Sequence, residues 1–272
     1  MTEQTEQAKA KAAETYNAAA DHFDDPPLAF WERIGRRTVE RLELPTGSSV
    51  LDVACGTGAS ALPAAEIVGP TGSVIGADLA EHMLELGRAK ARARSLNNIT
   101  FRTGDMTALD YPDGHFDAVV CVFGVFFVPD MERLVAELWR VVKPGGKLAI
   151  TTWGHGIFEP MYTQFREAVR KVRPDLYSAF NPWDRIVTIP QVEQLMLDGG
   201  VPNPVVAAED TVQPLAAPED WWTIAIGSGL RGTIDVMEAG EAEQIRATNE
   251  SWARENKVDS IGTNTIYAVG TK

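Results

Sequence analysis

Val50 to Gly58 read Val-Leu-Asp-Val-Ala-Cys-Gly-Thr-Gly, and this stretch organises the rest of the chain. Its first half is a short apolar run, which is typical of a buried strand in a parallel sheet. The Gly-Thr-Gly segment predicts a tight turn, and a helix-compatible sequence begins at Ala59. Glycines allow a close backbone approach, and the start of a helix presents free N–H groups. The junction therefore predicts a site for a polar, nucleotide-like ligand.

The composition narrows the class of protein. A chain of 272 residues with 44% hydrophobic content is long enough for one large α/β domain. A net charge of -13 would repel a nucleic-acid backbone, so we expect no nucleic-acid partner. No apolar stretch approaches the roughly 20 residues that span a bilayer, and no signal-like core follows Met1, so we expect a cytoplasmic protein. Cys55 and Cys121 lie in apolar runs and are expected to be buried free thiols. The oligomeric state stays open.

A regular alternation of patterns follows the opening stretch. It predicts a doubly wound parallel α/β sheet, because strands alternate with helices at short spacing. The predicted strands are 73–78, 99–102, 116–123 and 147–153, and the predicted helices are 61–68, 80–94 and 131–142. Two helices, 8–20 and 30–42, are predicted before the core, and strands at 204–212 and 263–270 are predicted after a less regular, mostly helical region.

The chemistry of the glycine turn separates two classes of cofactor. A dinucleotide fingerprint, G-x-G-x-x-G, is only loosely satisfied by Gly56, Gly58 and Ala61. Asp52, four residues before Gly56, disfavours a pyrophosphate and favours an ammonium group. A nicotinamide-dependent oxidoreductase is the alternative, but no Tyr-x-x-x-Lys or similar pair stands at the right strand end. A non-catalytic cofactor-binding or scaffold protein is the third hypothesis.

The segment Asp52–Gly58 resembles the first motif of the class I S-adenosylmethionine-dependent methyltransferases. Four further segments match the family in order, and the resemblance covers about residues 45–154. They are Asp78 at the end of the second strand, Gly104-Asp105-Met106, Cys121-Val122-Phe123, and Val142 to Leu148. The subgroup that the chain resembles most is the ubiquinone/menaquinone-biosynthesis type, whose N-terminal Tyr-Asp-x-x-Ala helix is similar to Tyr16–Ala20, with Asn17 departing from the pattern.

The resemblance implies a fold and a cofactor. It implies a seven-stranded sheet of order 3-2-1-4-5-7-6 whose last strand is antiparallel, with N-terminal helices and a helical lid inserted late in the chain. It also implies S-adenosylmethionine as the methyl donor, with Asp78 on the ribose hydroxyls and Asp105 on the adenine amino group. The full predicted cofactor-binding set is Tyr16, Asp52, Ala54, Gly56, Thr57, Gly58, Asp78, Leu79, Met83, Gly104, Asp105, Met106, Val122 and Phe123.

The aromatic residues outside the core pattern are candidates for an acceptor pocket. Many of them can be explained as the core of the helical lid, but a small apolar acceptor also needs an apolar pocket. The predicted pocket residues are Phe127, Trp153, Phe158, Tyr162, Trp183 and Trp222. His155 follows the fifth strand and is a candidate general base, or otherwise a polar loop residue. No metal is expected, because Thr151–His155 lacks the Asp-Asn pair of catechol-type methyltransferases.

These observations predict a single methyltransferase domain over residues 1–272. Its parts are N-terminal helices (1–44), a cofactor-binding core (45–154), and acceptor-side helices with the last two strands (155–272). The expected activity is transfer of a methyl group from S-adenosylmethionine to a small, apolar or aromatic metabolite by in-line displacement. Whether the acceptor atom is oxygen, nitrogen or carbon stays open.

Overall fold

The computed structural model describes residues 3–272, with side chains described from residue 6 onward. Its first part consists of two helices and a strand–helix alternation. These elements are α1 (Glu3–Ala19), α2 (Phe30–Glu40), β1 (Ser49–Val53), α3 (Ala61–Val68), β2 (Ser73–Asp78), α4 (Glu81–Ala93), β3 (Ile99–Thr103), β4 (Phe116–Val122), α5 (Met131–Arg140) and β5 (Val142–Trp153).

The second part is mostly helical and returns to the sheet at its end. Its elements are α6 (Met161–Val172), α7 (Ile189–Asp198), β6 (Val205–Glu209), β7 (Val212–Pro214), α8 (Asp220–Ile226), α9 (Arg231–Ile234), α10 (Ala239–Glu255), β8 (Ser260–Gly262) and β9 (Thr265–Thr271). Short 3-10 helices occupy Pro26–Leu28, Val125–Phe127, Pro174–Leu176 and Pro182–Arg185.

Seven strands form one sheet with the order β3-β2-β1-β4-β5-β9-β6. Strands β1 to β5 are parallel to one another, whereas β9 runs antiparallel to both β5 and β6. The predicted order and the predicted antiparallel last strand are therefore confirmed, with β6 and β9 as the sixth and seventh strands. The carboxyl ends of β1, β2 and β4 meet at one edge, which is where doubly wound sheets bind ligands.

The observed elements differ from the predicted ones mainly outside the core. The predicted strand 204–212 is two strands, because β6 ends at Glu209 and β7 pairs with β8 in a separate two-stranded sheet. Thr211 fixes the break, since its hydroxyl donates to the carbonyl of Thr263 at 2.8 Å and its N–H donates to Asn264 Oδ1 at 3.1 Å. Helix α1 begins at Glu3 rather than at residue 8.

The late helices have their own buried core, as a lid requires. Trp221 of α8 is fully buried, and its indole N–H donates to Asn249 of α10 at 2.8 Å. Its ring meets Phe158 and Phe165 edge-on, each with centroids 6.2 Å away. None of the helices in residues 3–272 is long and apolar enough to cross a bilayer.

The two cysteines are buried and unpaired, as predicted. Burial raises the pKa of the Cys121 thiol to about 12, so this group is protonated at neutral pH. Burial also raises the pKa of Cys55 well above its ordinary value. Neither cysteine therefore supplies a thiolate at neutral pH.

Candidate active site

The turn after β1 is built from residues in the left-handed backbone region. Ala54, Gly56 and Gly58 have φ angles of 53°, 51° and 89°. Gly58 is also required by packing, because a Cβ there would lie 2.8 Å from the Phe101 ring of β3. Gly35 of α2 packs against the same turn, since its Cβ would lie 2.4 Å from the carbonyl oxygen of Ala59. The position of α2 against the turn was not predicted, although Gly35 inside a helix was a visible signal.

Asp78 ends β2 and faces this turn. One carboxylate oxygen accepts the N–H of Gly56 at 2.8 Å, and the other accepts the N–H of Ala80 at 2.9 Å. Burial raises the pKa of Asp78, and the backbone hydrogen bonds partly offset this effect. Each oxygen keeps a second lone pair. Asp78 also lines the adjacent cleft, so its carboxylate can accept hydrogen bonds from a ligand's hydroxyl groups.

Asp52 lies behind the turn. Its carboxylate is 1% exposed and accepts a hydrogen bond from the Ser60 hydroxyl at 2.7 Å. The other oxygen has no hydrogen-bond partner among residues 3–272. Burial, together with the nearby Asp78 charge and against the Ser60 hydrogen bond, raises the pKa of Asp52 to about 7. Asp52 is not among the residues that line the cleft, so direct contact with a ligand's ammonium group stays a prediction.

The cleft at the carboxyl edge of β1, β2 and β4 brings together ten of the predicted cofactor residues. They are Tyr16, Ala54, Gly56, Asp78, Leu79, Met83, Gly104, Met106, Val122 and Phe123. Asp52, Thr57, Gly58 and Asp105 do not line it. Further lining residues were not predicted to bind the cofactor, and they are Ala12, Ala13, Phe23, Trp31, Cys55, Ala59, Ser60, Ala80 and Phe127, the last of which was predicted for the acceptor pocket.

Thr57 connects the turn to its surroundings. Its buried hydroxyl donates to a carboxylate oxygen of Asp24 at 2.9 Å and accepts from the Lys90 ammonium at 2.8 Å. Lys90 also pairs with Asp24 at 2.8 Å. The structure thus gives Thr57 a role in joining the turn to α4 and to the loop after α1. Spacing in the sequence offered no signal for this three-residue cluster.

Asp105 is joined to the N-terminal helix. Lys9 of α1 approaches a carboxylate oxygen of Asp105 at 2.6 Å and the Thr107 hydroxyl at 3.0 Å. Burial raises the pKa of Asp105, but the hydrogen bonds from Lys9 and Thr107 outweigh that effect and hold it below its ordinary value. Helix α1 therefore covers the cleft, which explains why Ala12, Ala13 and Tyr16 line it.

A second cavity of about 420 Å³ adjoins the cleft and is lined mainly by aromatic rings. The predicted acceptor residues that line it are Phe127, Trp153, Phe158, Tyr162 and Trp183. Trp222 does not line it, and its half-buried ring packs against the hydrophobic core instead. Other aromatic lining residues, Trp31, Phe126, Phe165 and Tyr177, were not predicted as pocket residues. Trp31 lies in α2 and is half-buried, and an aromatic residue on a helix face is expected simply for packing.

The cleft and the cavity share a wall of four aromatic residues, Tyr16, Trp31, Phe123 and Phe127. The Tyr16 ring meets Phe127 edge-on at 5.6 Å. Phe123 stacks on Trp153 with centroids 3.7 Å apart, and Trp31 meets Phe123 at 5.4 Å. Burial, aided by the charge of Asp78, raises the pKa of Tyr16, so its hydroxyl keeps its proton. These contacts fix the rings at the point where the two spaces meet.

His155 is placed elsewhere. Its side chain is exposed, and it lines neither the cleft nor the cavity. Its carbonyl oxygen accepts a hydrogen bond from the Asn264 side chain at 2.7 Å, which ties the loop after β5 to the start of β9. The structure therefore does not bring the candidate base together with the other predicted site residues. Within residues 3–272, no group of three metal-ligating side chains converges.

Comparison with known proteins identifies the family. The model of the ubiE/COQ5 methyltransferase family matches residues 14–181, which is more than half of the chain. The chain belongs to the ubiE/COQ5 methyltransferase family. The predicted membership of the class I S-adenosylmethionine-dependent methyltransferases, ubiquinone/menaquinone-biosynthesis type, is thereby confirmed.

Curated relatives match this chain over only part of their length. The chain is 38% identical over 145 residues to the demethylmenaquinone methyltransferase of Lactococcus lactis, which covers 53% of this chain and 57% of that enzyme. The matched part thus spans a little over half of the relative.

Solved structures support the same fold over more of the chain. The match to the YcgJ protein of Bacillus subtilis covers 88% of this chain and 98% of the YcgJ chain, with a TM-score of 0.58 and 19% identity. A second match is to a methyltransferase from Aquifex aeolicus that is described as dependent on S-adenosylmethionine. It covers 70% of this chain and 89% of the Aquifex chain, with a TM-score of 0.53 and 21% identity. At these identities the likeness shows the fold alone.

Proposed function

We propose that this protein transfers a methyl group from S-adenosylmethionine to a small apolar or aromatic acceptor. The observation that carries the proposal is the shared wall. A cleft of the kind expected for a nucleoside meets a separate aromatic cavity at Tyr16, Trp31, Phe123 and Phe127. Methyl transfer needs two ligands that touch at one point, and two adjoining spaces with a common wall provide that arrangement.

The residues of the cleft fit the proposed donor. Asp78 has spare lone pairs for ribose hydroxyls, and Leu79, Met83 and Met106 offer apolar surfaces for an adenine ring. The aromatic wall suits a sulfonium, because ring faces attract cations. Asp52, buried behind the turn, adds negative charge there in its ionised form. Asp105 on the adenine amino group, and roles for Thr57 and Gly58 beyond packing, remain part of the proposal.

In this mechanism the protein's main task is alignment. S-adenosylmethionine supplies a methyl group that is already activated by the positive charge on sulfur. Holding two reactants in the reacting geometry can contribute about 7–11 kcal/mol. Phe123 belongs to the wall between the donor cleft and the acceptor cavity, and its stacking on Trp153 fixes the position of its ring. Tyr16 keeps its proton and can donate a hydrogen bond, but it is unsuited to act as a base.

The acceptor is proposed only by class. Demethylmenaquinone is a candidate, because curated relatives carry the name demethylmenaquinone methyltransferase. However, the family match ends at residue 181, whereas residues beyond it also line the acceptor cavity, namely Trp183, Ser228, Gly229, Leu230, Gly232 and Thr233. We therefore propose that 45–154 supplies most of the donor site and 155–272 most of the acceptor site, while residues 1–44 contribute to both.

Calorimetry tests the donor half of the proposal. S-adenosylhomocysteine should bind the wild type, and Asp78→Ala should weaken binding at least about tenfold, since charged hydrogen bonds contribute roughly 1.5–3 kcal/mol. Asp198→Ala, an exposed carboxylate at the end of α7, is the control and should leave binding unchanged. Failure of the wild type to bind S-adenosylhomocysteine would overturn the proposal. Binding of NADH instead would favour the oxidoreductase alternative.

Transfer itself is tested with S-adenosylmethionine carrying a labelled methyl group. Reduced demethylmenaquinone is the first acceptor to supply, followed by a panel of small phenols and aromatic acids. Label that appears in an acceptor supports the activity. Donor binding without transfer to any acceptor in the panel would favour the non-catalytic cofactor-binding alternative.

A further inference from the structure

The acceptor cavity has a positively charged lining in an acidic protein. Among the described residues that line it, Arg166 and Lys11 are the cations, and no Asp or Glu is present. The chain as a whole carries a net charge of -13. An entirely apolar acceptor would gain nothing from cations in its pocket, and a guanidinium is costly to bury without a partner. The positive charge of this lining therefore suits an acceptor that carries a negative charge.

Arg166 is held in a fixed position on α6. Its guanidinium lies over the Tyr162 ring at 5.6 Å and over the Tyr177 ring at 5.2 Å. One terminal nitrogen, Nη2, donates to the carbonyl oxygen of Ser178 at 2.7 Å and to the Tyr177 hydroxyl at 3.2 Å. These contacts orient the planar group without neutralising it.

The positive charge of Arg166 is not neutralised by a neighbouring carboxylate among the described residues. Within residues 3–272, no carboxylate lies within ion-pair distance of its guanidinium. Its Nε is buried and has no hydrogen-bond partner in the described part of the chain. By contrast Arg170, one turn later on the same helix, is exposed and pairs with Glu167 at 2.5 Å. Of the two arginines, only the half-buried one that lines the cavity lacks a counter-ion.

We propose that the acceptor is an aromatic acid, whose carboxylate is bound by Arg166 while its ring lies among the aromatic side chains of the cavity. This proposal rests on the proposed methyltransferase function and names its substrate class, which replaces demethylmenaquinone as the candidate because that quinone has no carboxylate. A guanidinium that is planar, fixed and unpaired matches a planar carboxylate. Lys11 of α1, exposed at the edge of the same cavity, adds positive charge at longer range.

A purely structural role for Arg166 makes a different prediction. Its bonds to Tyr177 and Ser178 also join α6 to the 3-10 segment that follows it. If that were its only role, loss of Arg166 would weaken binding of neutral and anionic ligands equally. If Arg166 binds the carboxylate, its loss would affect the anionic ligand selectively.

Two probes of matched size separate these roles. 2-Naphthoate and 2-naphthalenemethanol are titrated into the full chain saturated with S-adenosylhomocysteine, and quenching of the cavity tryptophans reports binding. We expect the wild type to bind the anion at least about tenfold more tightly than the alcohol, as one charged hydrogen-bonded pair provides. Arg166→Gln should abolish this preference and leave affinity for the alcohol within about twofold. Arg166→Lys should retain part of it.

Arg170→Gln is the matched control, because it removes the same charge from the same helix outside the cavity, and it should keep the wild-type preference. Equal affinity of the wild type for both probes would overturn the proposal even if Arg166→Gln fails to fold. Equal losses for both probes in a folded Arg166→Gln would also overturn it, in favour of the structural role. Binding of S-adenosylhomocysteine, measured separately, distinguishes these outcomes from failure of the proposed methyltransferase function.

Discussion

The ammonium group of Lys9 lies 2.6 Å from a carboxylate oxygen of Asp105, and the two residues are 96 positions apart in the chain. Lys9 belongs to α1, and Asp105 to the loop after β3 that also contributes Gly104 and Met106 to the cleft. Both side chains are largely shielded, at 12% and 26% exposure. The pair therefore joins the helix that covers the cleft to the loop that forms its floor, and it links the position of α1 to cofactor binding.

The first prediction concerns this pair. Lys9→Met should weaken binding of S-adenosylhomocysteine about three- to tenfold, because a partly buried ion pair of this kind is worth on the order of 1 kcal/mol and α1 supplies part of the cleft. Asp105→Asn should have a similar effect. Lys11→Met, on the same helix, is the control and should leave this affinity unchanged.

The double variant shows whether Asp105 has a second role. If Asp105 acts only through Lys9, the double variant should be no worse than either single variant, since the effects of paired residues are not additive. If Asp105 also binds the adenine amino group, as the family resemblance implies, Asp105→Asn should cost more than Lys9→Met. Full additivity of the two losses would contradict coupling through the pair.

The second prediction concerns Arg140 of α5, which holds the loop between β3 and β4. Its guanidinium donates to the carbonyl oxygens of Tyr111 at 2.8 Å and Leu109 at 3.2 Å, and it pairs with Glu137 at 2.8 Å. Arg140→Ala should lower the free energy of unfolding by about 1–3 kcal/mol, because two backbone carbonyls lose a charged donor. The midpoint of urea unfolding measures this change.

Arg133→Ala provides the comparison for Arg140→Ala. Arg133 lies on the same helix, is exposed, and has no ion pair within the described residues. Its replacement should shift the free energy of unfolding by less than about 0.5 kcal/mol. Similar shifts for the two variants would show that Arg140 does not hold the loop.

The sequence predicted the core of the fold because local patterns there agree with tertiary packing. Helix α3 and strand β2 were predicted with their observed bounds, since Gly69 and Pro70 follow the end of α3 and Gly72 precedes the start of β2. The break between β6 and β7 was missed because it depends on Thr211 contacting Thr263 and Asn264, more than fifty residues away. Pairing between distant residues of this kind leaves no periodic signal in either segment.

The residues of the site also divide into those that the sequence predicts and those that depend on tertiary packing. Gly56 and Asp78 could be predicted because Gly56 lies in the turn after β1 and Asp78 ends β2, and both strands are recognisable from their apolar residues. Trp31 and Phe23 could not, because they reach the cleft through the packing of the N-terminal helices, and the two rings stack with centroids 5.2 Å apart. His155 follows β5 in the sequence as a site residue should, yet its side chain is exposed away from both spaces. The direction of a side chain in a loop is set by tertiary contacts that the sequence alone does not reveal.

The third prediction concerns the turn after β1. Gly58→Ala should destabilise the protein by about 2–4 kcal/mol, because it combines a φ of 89° with a Cβ 2.8 Å from the Phe101 ring. Gly145→Ala is the matched control, with a φ of 80° but nothing within 4 Å of the added carbon. It should cost only about 1–2 kcal/mol, from backbone strain alone. Thermal unfolding of both variants measures the difference, and equal losses would argue against the close contact with Phe101.

The fourth prediction concerns the buried carboxyl group of Asp52. Its pKa rises from an ordinary 3.8 to about 7 on folding, chiefly through burial. Between about pH 4 and pH 7 the folded state therefore binds more protons than the unfolded state, and the free energy of unfolding falls as pH rises. The contribution of Asp52 to this fall is at most about 1.4 kcal/mol per pH unit. Asp52→Asn, which resembles the protonated side chain, should remove it.

Urea unfolding of both proteins at several values across that range measures the effect. The wild type should lose stability relative to Asp52→Asn as pH rises, and the difference between the two should level off above about pH 7. Ser60→Ala should extend the loss to higher pH, because the Ser60 hydroxyl stabilises the ionised carboxylate through its 2.7 Å hydrogen bond. Parallel pH profiles for the wild type and Asp52→Asn would mean that Asp52 is ionised in the folded protein throughout this range.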